Sequence, residues 1–420
     1  MAVRGLAVLR KGMDFSLKEK FFENLNAPDR KGRLEALSNL MLLCDSRAMD
    51  RPITGVNVNN HIHTTYSFSP YSPAKAVFMS WLSGLATAGI MDHDSVGGAE
   101  EFIEAGRIVG LPVTIGFEMR CSMADTPFAG RRVNNPDQIS VAYLTMHGIP
   151  HQMLGEADKF LAPYREKRNV RNWKMVRKLN EYLKPYGLEL DFNTDVLPLS
   201  EYSSGGSVTE RHISYALAAK LTEKELPRNF LLGLFKSQLV GSFYVDADDE
   251  LPHITEFVAL AEKLGAIPAY PYLGDVGVSV TGDKKTQKFE DAFLDELITY
   301  ITGIGMRAVT YMPARNTDKQ LSNIKALCES HGLFQISGED INSPLQKFIC
   351  EKIETPEFRH LIDSAWALIG HELASSQGIR EGMFSAKTEA ELPDLAERIK
   401  HFAGLARNKA QEKKEGLSTK

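Results

Sequence analysis

Apolar and polar positions along the chain alternate between two patterns, which predict strands and helices. Segments such as IMDHDSVGG and LPVTIGFEMR begin with an apolar run and end in polar residues. Segments such as PAKAVFMSWLSGLATAG and AEEFIEAGRIVG carry apolar residues three and four positions apart. The first pattern is typical of buried strands and the second of amphipathic helices. Their regular alternation predicts an α/β sheet or barrel.

The alternation is interrupted between residues 150 and 251, where the pattern is mostly helical and rich in lysine and arginine. It resumes at residue 252 and stops near residue 349. We therefore predict five segments. In chain order they are a helical N-terminal extension (1–55), the first part of a barrel (56–149), a helical insertion that forms a cap (150–251), the second part of the barrel (252–349) and a helical C-terminal extension with a flexible tail (350–420).

Composition places the chain among ordinary globular proteins. Of its 420 residues 43% are hydrophobic and 25% are charged, and the net charge is −5. There is no basic excess of the kind that nucleic-acid binders usually carry, although a local basic groove stays open. The four cysteines are scattered and form no CxxC pair, which argues for a reducing compartment and against a disulfide framework or a cysteine zinc site.

No apolar run approaches the roughly 20 residues that a membrane-spanning helix needs. The short apolar stretch near the first residue is interrupted by Arg10 and Lys11, so it is too short for a secretory signal. We expect a cytoplasmic protein without a membrane partner.

The first candidate for chemistry is a pair of histidines, His61 and His63, on a predicted strand. Alternate residues of a strand face the same side, so the two imidazoles can chelate one metal ion. The alternative is a pair of solvated or hydrogen-bonded histidines.

Two further strand ends carry titratable groups. Asp92, His93 and Asp94 follow one apolar run, where burial is costly unless they meet a cation or one another. The alternative is a turn in which an aspartate caps the backbone. Glu118 ends another apolar run and can bridge two cations with its two oxygens. Its alternative role is to pair with Arg120.

A fourth strand end carries Asp340 and Asn342, which alternation places on one face, with Glu339 turned away. In a barrel of alternating strands and helices, the C-terminal strand ends build the active site. Histidine and carboxylate side chains at one rim suit manganese, zinc or iron. The combined pattern therefore predicts a divalent transition-metal centre.

The order of these motifs resembles the polymerase and histidinol phosphatase (PHP) family. HIHTTYS, MDHDSVGG and GFEMR resemble its first three elements, and VTERHISYAL, IPAYPYLG and ISGEDIN resemble three later ones, so that the resemblance runs from about residue 57 to 345. It implies a distorted TIM-like (β/α)7 barrel, here with an inserted helical subdomain and helical extensions at both ends. It also implies a three-metal centre that hydrolyses phosphate esters.

The resemblance assigns one complete metal site to His61, His63, Glu118 and Asp340, and a ligand of a second site to His93. Because several positions depart from the family pattern, we expect one to two ions in this chain instead of three. Asn342 stands where a stronger histidine ligand is expected.

Other positions depart from the family pattern. Phe68 stands near an expected aspartate, and Ser140 stands at an expected histidine, for which the nearby His147 is a substitute. Tyr270 replaces another expected histidine, and it is either a hydrogen-bond donor to a substrate phosphate or a core aromatic residue.

We predict further roles around the centre. Asp92 and His93 are candidates for moving protons, and Arg211 and His212 are candidates for reaching a phosphate.

Three arginines of the insertion, Arg165, Arg168 and Arg171, are candidates for adding positive potential over the site. The alternative is a solvated helix face, which we expect for Arg171 and Lys174.

The sequence thus predicts a metal-dependent hydrolase of phosphate esters that uses a metal-activated water on a small phosphorylated substrate. Among nucleic acids, only short oligonucleotides remain as candidate substrates. The alternative is a catalytically reduced protein of the same fold that binds a phosphorylated ligand without turnover. A third hypothesis changes the bond that is cleaved to an amide or a carboxylic ester.

Overall fold

The centre of the molecule is a seven-stranded sheet. The structure is a computed structural model that describes residues 15–221, 231, 235, 239–277 and 287–418. The strands lie side by side in chain order. They are β1 (Val58–Ile62), β2 (Thr87–His93), β3 (Val113–Ser122), β4 (Val141–His147), β5 (Ile267–Pro271), β6 (Ala308–Tyr311) and β7 (Phe334–Ser337).

The first strand and the segment after the last strand meet, so the sheet nearly closes into a barrel. Ile62 forms a parallel bridge with Ile341. The backbone N–H of His63 donates to the carbonyl of Ile341 at 2.9 Å. The backbone N–H of Ile341 donates to the carbonyl of His61 at 3.0 Å. The predicted distorted TIM-like barrel is confirmed.

One strand runs against the others. β4 is antiparallel to both β3 and β5, whereas the remaining neighbours are parallel. A parallel neighbour needs a long crossover, usually a helix, but residues 123–140 form turns instead, and the chain comes straight back. The beginning of β4, rather than its end, therefore lies at the rim formed by the C-terminal ends of the other strands.

Helices surround this sheet and extend it. In chain order they are α1 (Phe15–Asn24), α2 (Arg30–Asp45), α3 (Pro73–Leu82), α4 (Ala99–Val109), α5 (Leu154–Leu183), α6 (Glu210–Leu221), α7 (Val240–Phe243), α8 (Ile254–Leu264), α9 (Leu294–Gly303), α10 (Asp318–Ser330), α11 (His360–Ser375), α12 (Ala386–Glu391) and α13 (Leu395–Ser418). Among the described residues, none of these helices is long and apolar enough to cross a membrane.

The segment between β4 and β5 has a hydrophobic core of its own. Met175 and Leu179 of α5 pack with Val196, with Leu217 of α6 and with Phe243 of α7, all of them buried. Other residues of α5 bring charged side chains to the barrel mouth, where Arg165 and Arg168 contact Asp94.

The C-terminal helices cover one side of the barrel. Apolar residues of β5, β6 and β7 pack against Leu368 of α11 and Phe402 of α13. The Glu372 carboxylate of α11 is buried and accepts hydrogen bonds from the backbone N–H of Ile115 at 2.7 Å and the hydroxyl of Thr114 at 2.8 Å. These contacts attach α11 to β3, the strand that carries Glu118.

The N-terminal helices are joined to the barrel by a buried ion pair. Arg33 of α2 donates to both carboxylate oxygens of Glu101 of α4, at 2.9 and 2.6 Å. Glu101 also accepts from the backbone N–H of Ala74 at 3.1 Å, so it links three helices. Both charged side chains are at most 4% exposed.

We expect Glu101→Ala to lower the free energy of unfolding by about 3–5 kcal/mol, because the Arg33 guanidinium would stay buried without its anionic partner. Glu100→Ala is the matched control, since Glu100 pairs with Arg30 at 2.8 Å while the two side chains are 71% and 46% exposed. Its effect should stay below about 1 kcal/mol. Urea unfolding followed by circular dichroism measures both, and equal shifts would contradict the assigned role of the buried pair.

Candidate metal centre

The mouth of the barrel gathers the predicted ligands in one cleft. His61 lies in β1 and His63 follows it, His93 ends β2, and Glu118 lies in β3. Asp340 follows β7 and lines the same cleft, whose volume is about 180 Å³. The C-terminal ends of parallel strands converge here, which is why residues far apart in sequence become neighbours.

A glycine allows the segment after β7 to approach β1 closely. A Cβ atom at Gly338 would lie 2.7 Å from the Cβ of His61 and 2.8 Å from its backbone nitrogen, so no larger residue fits there without movement. This close approach brings Asp340 next to His63, with Asp340 Oδ1 3.3 Å from His63 Nε2.

Glu118 lies at the centre of the cluster. Its Oε2 is 3.6 Å from His61 Nε2, 3.9 Å from His63 Nε2 and 3.2 Å from His93 Nδ1. Ligands about 2.1 Å from a tetrahedral ion are themselves about 3.4 Å apart. The spacing and chemistry of these donor atoms therefore fit a bound metal ion.

The donors form two overlapping groups whose ligand atoms lie within 4.8 Å of one another: His61, His63 and Asp340, and His63, His93 and Glu118. A histidine nitrogen has one lone pair and binds one ion, so His63 cannot serve both groups at once. A carboxylate has two oxygens and can contact two ions. Glu118 is thus the residue that can join two neighbouring ions.

A buried aspartate orients His63. Asp92 accepts hydrogen bonds from the backbone N–H and the hydroxyl of Thr64 and from the hydroxyl of Ser67, each at 2.6 Å. Because Ser67 gives its only proton to Asp92, its oxygen is left to accept from His63 Nδ1, which is 3.3 Å away. The Nε2 lone pair of His63 then faces the cluster, as a metal ligand requires.

The position of Asp92 corrects its predicted role in moving protons. Asp92 is 1% exposed, points to Thr64 and Ser67 and does not line the cleft. It lies behind the ligands and is not placed to move protons at the centre. His93 does line the cleft, and its ring centroid is 4.6 Å from that of His63.

Burial and neighbouring charges set the protonation of the ligands. Burial, with a further contribution from His63, holds the pKa of His93 well below its usual value, so its imidazole is neutral. Burial alone would raise the pKa of Asp340, but the hydrogen bond and charge of His63 hold it well below the usual range. A neutral imidazole and an ionised carboxylate are the forms that bind metal ions.

The pKa of His61 is shifted in the opposite direction from that of His93. Burial lowers its pKa, but the nearby Glu118 outweighs this effect, and the pKa is raised overall. The raised pKa reflects how strongly the Glu118 carboxylate attracts a positive charge at this position.

The insertion contributes a cationic side chain to the lining of the cleft. Arg211, in the first turn of α6, lines the cleft, and its charge acts on both His93 and Asp340. Within the described part of the chain, no carboxylate or carbonyl forms a hydrogen bond or a close ion pair with its guanidinium. An anionic ligand in the cleft would find these donors unoccupied.

His212, which was predicted with Arg211 to reach a phosphate, lies outside the cleft. Its ring is buried behind Phe68, with ring centroids 4.9 Å apart, and its Nδ1 accepts from the backbone N–H of Thr209. Burial lowers its pKa to about 3. His212 does not line the cleft, whereas Phe68 does, at the place of an expected acidic ligand.

Of three further positions that the sequence singled out, one lines the cleft and two form hydrogen bonds away from the ligand cluster. Asn342 lines the cleft, but its side-chain N–H donates to Asp340 Oδ1 at 2.7 Å and so helps to hold that ligand. Tyr270 is fully buried and donates to Glu290 at 3.1 Å, which favours the core-aromatic alternative. The Ser140 hydroxyl, before β4, accepts from the backbone N–H of Gly130 at 2.7 Å.

His147 lies deeper in the barrel because β4 is antiparallel. It is opposite Gly116, whereas Thr145 is opposite Glu118. His147 is buried, its Nε2 is 3.2 Å from the hydroxyl of Thr145, and burial lowers its pKa to about 3. It belongs to neither ligand group.

The same reversal brings an unpredicted residue to the site. Tyr143 is opposite Arg120 in the β3–β4 pair and lines the cleft, with its ring centroid 5.9 Å from that of His93. Burial raises its pKa, so the phenol keeps its proton. Among the described residues its hydroxyl has no hydrogen-bond partner. The absence of a helix pattern in residues 123–140 was the available signal for this strand direction.

Three arginines of α5, Arg165, Arg168 and Arg171, are buried rather than solvated. Arg168 forms an ion pair with Asp94, and Arg171 donates to Glu250 at 2.8 Å. The expectation of a solvated position was wrong for Arg171, whose side chain is 4% exposed, because this face of α5 lies against carboxylates of the barrel mouth. It was right for Lys174, which is exposed.

The alternative pairing of Glu118 with Arg120 was also wrong. Arg120 instead forms an ion pair with Glu250 and lies 3.4 Å from the hydroxyl of Tyr244. The close titratable neighbours of the Glu118 carboxylate among the described residues are therefore imidazoles, with no arginine or lysine.

Known proteins match this chain in structure rather than in sequence. No protein-family model and no curated protein matches the sequence significantly. A Bifidobacterium adolescentis protein inferred to be a metal-dependent phosphoesterase is 19% identical, with a TM-score of 0.53 over 75% of this chain and 98% of its own. An amidohydrolase from Chromobacterium violaceum, with bound sulfate and no metal, is 18% identical, with a TM-score of 0.52 over 73% of this chain and 96% of its own.

A two-domain protein from Bacteroides vulgatus, which contains a predicted PHP-like metal-dependent phosphoesterase, is 12% identical. Its TM-score of 0.30, over 73% of this chain and 58% of its own, is too low to support an argument. The similarity to the first two structures establishes a common fold at low sequence identity. The expected barrel fold is thus found in known structures.

We expect His63→Gln to weaken binding of Mn²⁺ or Zn²⁺ by more than about 100-fold, beyond the 10–100-fold effect typical of residues that only orient a ligand. His147→Gln is the matched control, because it also removes a buried barrel histidine but one outside the ligand groups. Isothermal titration of chelator-treated protein measures both. Equal losses in the two variants would contradict the assigned cluster.

Proposed function

We propose that the protein is a metal-dependent hydrolase that cleaves phosphate esters of small molecules. The observation that carries the proposal is that Arg211 lines the same cleft as five clustered candidate metal ligands and has no hydrogen-bond or close ion-pair partner among the described residues. A guanidinium placed opposite a cation site suits a substrate group with several anionic oxygens, and phosphate is such a group.

The chain's own residues divide the work at the centre. His61, His63 and Asp340 would hold one ion together with Glu118, and His93 would be a ligand of a second ion that Glu118 could share. Manganese, zinc and iron all suit this donor set, so one to two such ions are expected. When bound, the metal supplies a Lewis acid and a water nucleophile at neutral pH.

Arg211 and Tyr143 would orient the phosphate. The guanidinium offers parallel N–H donors that match two phosphate oxygens, and the protonated phenol of Tyr143 offers one further donor. Both line the cleft, and neither has a hydrogen-bond partner among the described residues.

The rest of the cleft suits the organic part of a substrate. Phe68, Pro136, Pro271, Tyr272 and Tyr311 give the wall an aromatic and apolar character beside the ligand cluster. A cavity of about 180 Å³ favours a small phosphorylated molecule over a nucleic-acid duplex.

A second candidate is binding of a phosphorylated ligand without turnover. Phe68 in the cleft and the buried Tyr270 stand where the family resemblance places further ligands, so the centre has fewer donors than a three-metal site. This candidate keeps the anion contact of Arg211 and gives up the hydrolytic step.

We expect Arg211→Met to lower kcat/KM for a phosphate monoester by about 10–100-fold, the equivalent of about 1.5–3 kcal/mol for a hydrogen bond to a charged group. Asp340→Ala should abolish both metal binding and phosphate release. Arg177→Met is the control, since Arg177 is exposed on α5 and outside the cleft.

The measurement is turnover of 4-nitrophenyl phosphate, 4-nitrophenyl acetate and a 4-nitroanilide by metal-loaded protein. Cleavage of the anilide or the acetate in place of the phosphate would replace the proposal with an amide or ester hydrolase. Tight binding of a phosphorylated ligand with no phosphate release would favour the second candidate.

A further inference from the structure

Asp94, the residue after His93, has an unusual backbone conformation. Its φ angle is +51°, in the left-handed region that side-chain-bearing residues rarely adopt. Aspartate tolerates this region better than most residues, but the conformation still needs support from its surroundings. The turn that Asp94 makes sets the direction in which the chain leaves β2, and therefore the position of His93.

Three contacts hold Asp94 in place. Its backbone N–H donates to the carbonyl of Glu118 at 2.7 Å, which continues the pairing of β2 and β3. Its own carbonyl accepts from Arg165 at 3.1 Å, and its carboxylate forms an ion pair with Arg168. Both arginines belong to α5 and have side chains that are 6% exposed. Two residues of the insertion thus hold a turn of the barrel.

His93 needs this support more than the other ligands do. The imidazole of His63 is oriented by Ser67, which is itself fixed by Asp92. For His93, no residue in the described ranges other than Glu118 forms a hydrogen bond or an ion pair with the ring. Its orientation must therefore come from the backbone on either side and from packing.

Arg168 also contacts a residue at the beginning of α6. A second guanidinium nitrogen of Arg168 is 3.7 Å from Glu210 Oε2, and Glu210 precedes Arg211 at the beginning of α6. Arg168 therefore lies between the turn that carries His93 and the helix end that carries the anion-binding arginine.

We infer that the Arg168–Asp94 ion pair is a positioning device that holds His93 toward Glu118 and couples the insertion to the metal centre. The inference rests on the metal centre of the proposed function. A merely structural pair would only fasten α5 in place. The Arg171–Glu250 pair, one turn further along α5 and equally buried, already does so, because Glu250 of the insertion also pairs with Arg120 of β3. Arg171 makes no contact with Asp94, so it provides the matched control.

The test is titration of metal-free protein with Co²⁺, followed by visible absorption, which responds to the ligands around the ion. His93→Gln first defines the part of the titration that depends on His93. We expect Arg168→Met and Asp94→Gly to weaken that part by about 10–100-fold, as is typical when the partner of a metal ligand is removed, and to leave the remaining binding intact. Arg168→Lys should recover part of the affinity.

The sign of the charge effect makes the result specific. Arg168→Met removes a positive charge near the site, which on electrostatic grounds alone would strengthen binding of a cation. Glycine adopts positive φ freely, so Asp94→Gly relieves the strain of the turn while it removes the ion pair. The double variant Arg168→Met/Asp94→Gly removes one charge of each sign. Weaker Co²⁺ binding in both single variants and in this double variant would therefore follow from lost positioning of His93. Thermal unfolding verifies that each variant is folded.

Several outcomes would overturn the inference. Wild-type titration curves for Arg168→Met and Asp94→Gly would do so, as would an equal loss in Arg171→Met. A wild-type protein that binds no Co²⁺ would remove the metal centre and the positioning device together. Metal binding without phosphate release would overturn the proposed hydrolase function alone and leave the positioning device standing.

Discussion

The structure depends on one constraint: charged groups buried at the mouth of the barrel must each have a partner. A buried carboxylate without a cation or hydrogen-bond donors is strongly destabilising. Asp92 meets three donors, Asp94 meets Arg168, and Glu250 meets two arginines. Glu118 differs from these because its close titratable neighbours among the described residues are imidazoles. Of these carboxylates, it is the one whose surroundings a metal ion would complete under the proposed function.

This constraint also explains how the insertion is attached. The insertion has its own hydrophobic core, so it does not need the barrel to bury its apolar residues. It contacts the mouth through buried ion pairs. Arg168 of α5 pairs with Asp94 of the barrel, and Glu250, which also pairs with Arg171 of α5, pairs with Arg120 of β3. An ionic contact of this kind is sensitive to geometry, because each charge is costly to bury without its partner. It therefore fixes α6, and with it Arg211, relative to the ligand cluster.

The sequence predicted the parts of this arrangement that depend on local pattern. Alternation of strands and helices predicted the barrel, and the motifs around His61, His93, Glu118 and Asp340 predicted which strand ends would meet in one cleft. These predictions succeed because the side chains of a strand alternate between two faces, and because the C-terminal ends of parallel strands converge. The first rule applies to a single strand, and the second requires only that the strands are parallel members of one sheet.

Tertiary structure alone decided the direction of β4 and the partners of the buried charges. The reversal of β4 takes His147 into the barrel interior and brings Tyr143 to the cleft. Burial turned Tyr270 toward Glu290, and Arg171 toward Glu250 rather than solvent. An amino-acid pattern reports how often a residue faces the core, but it does not report the strand that lies beside it or the charge opposite it. Those depend on contacts between residues far apart in the chain, which exist only once the barrel has closed.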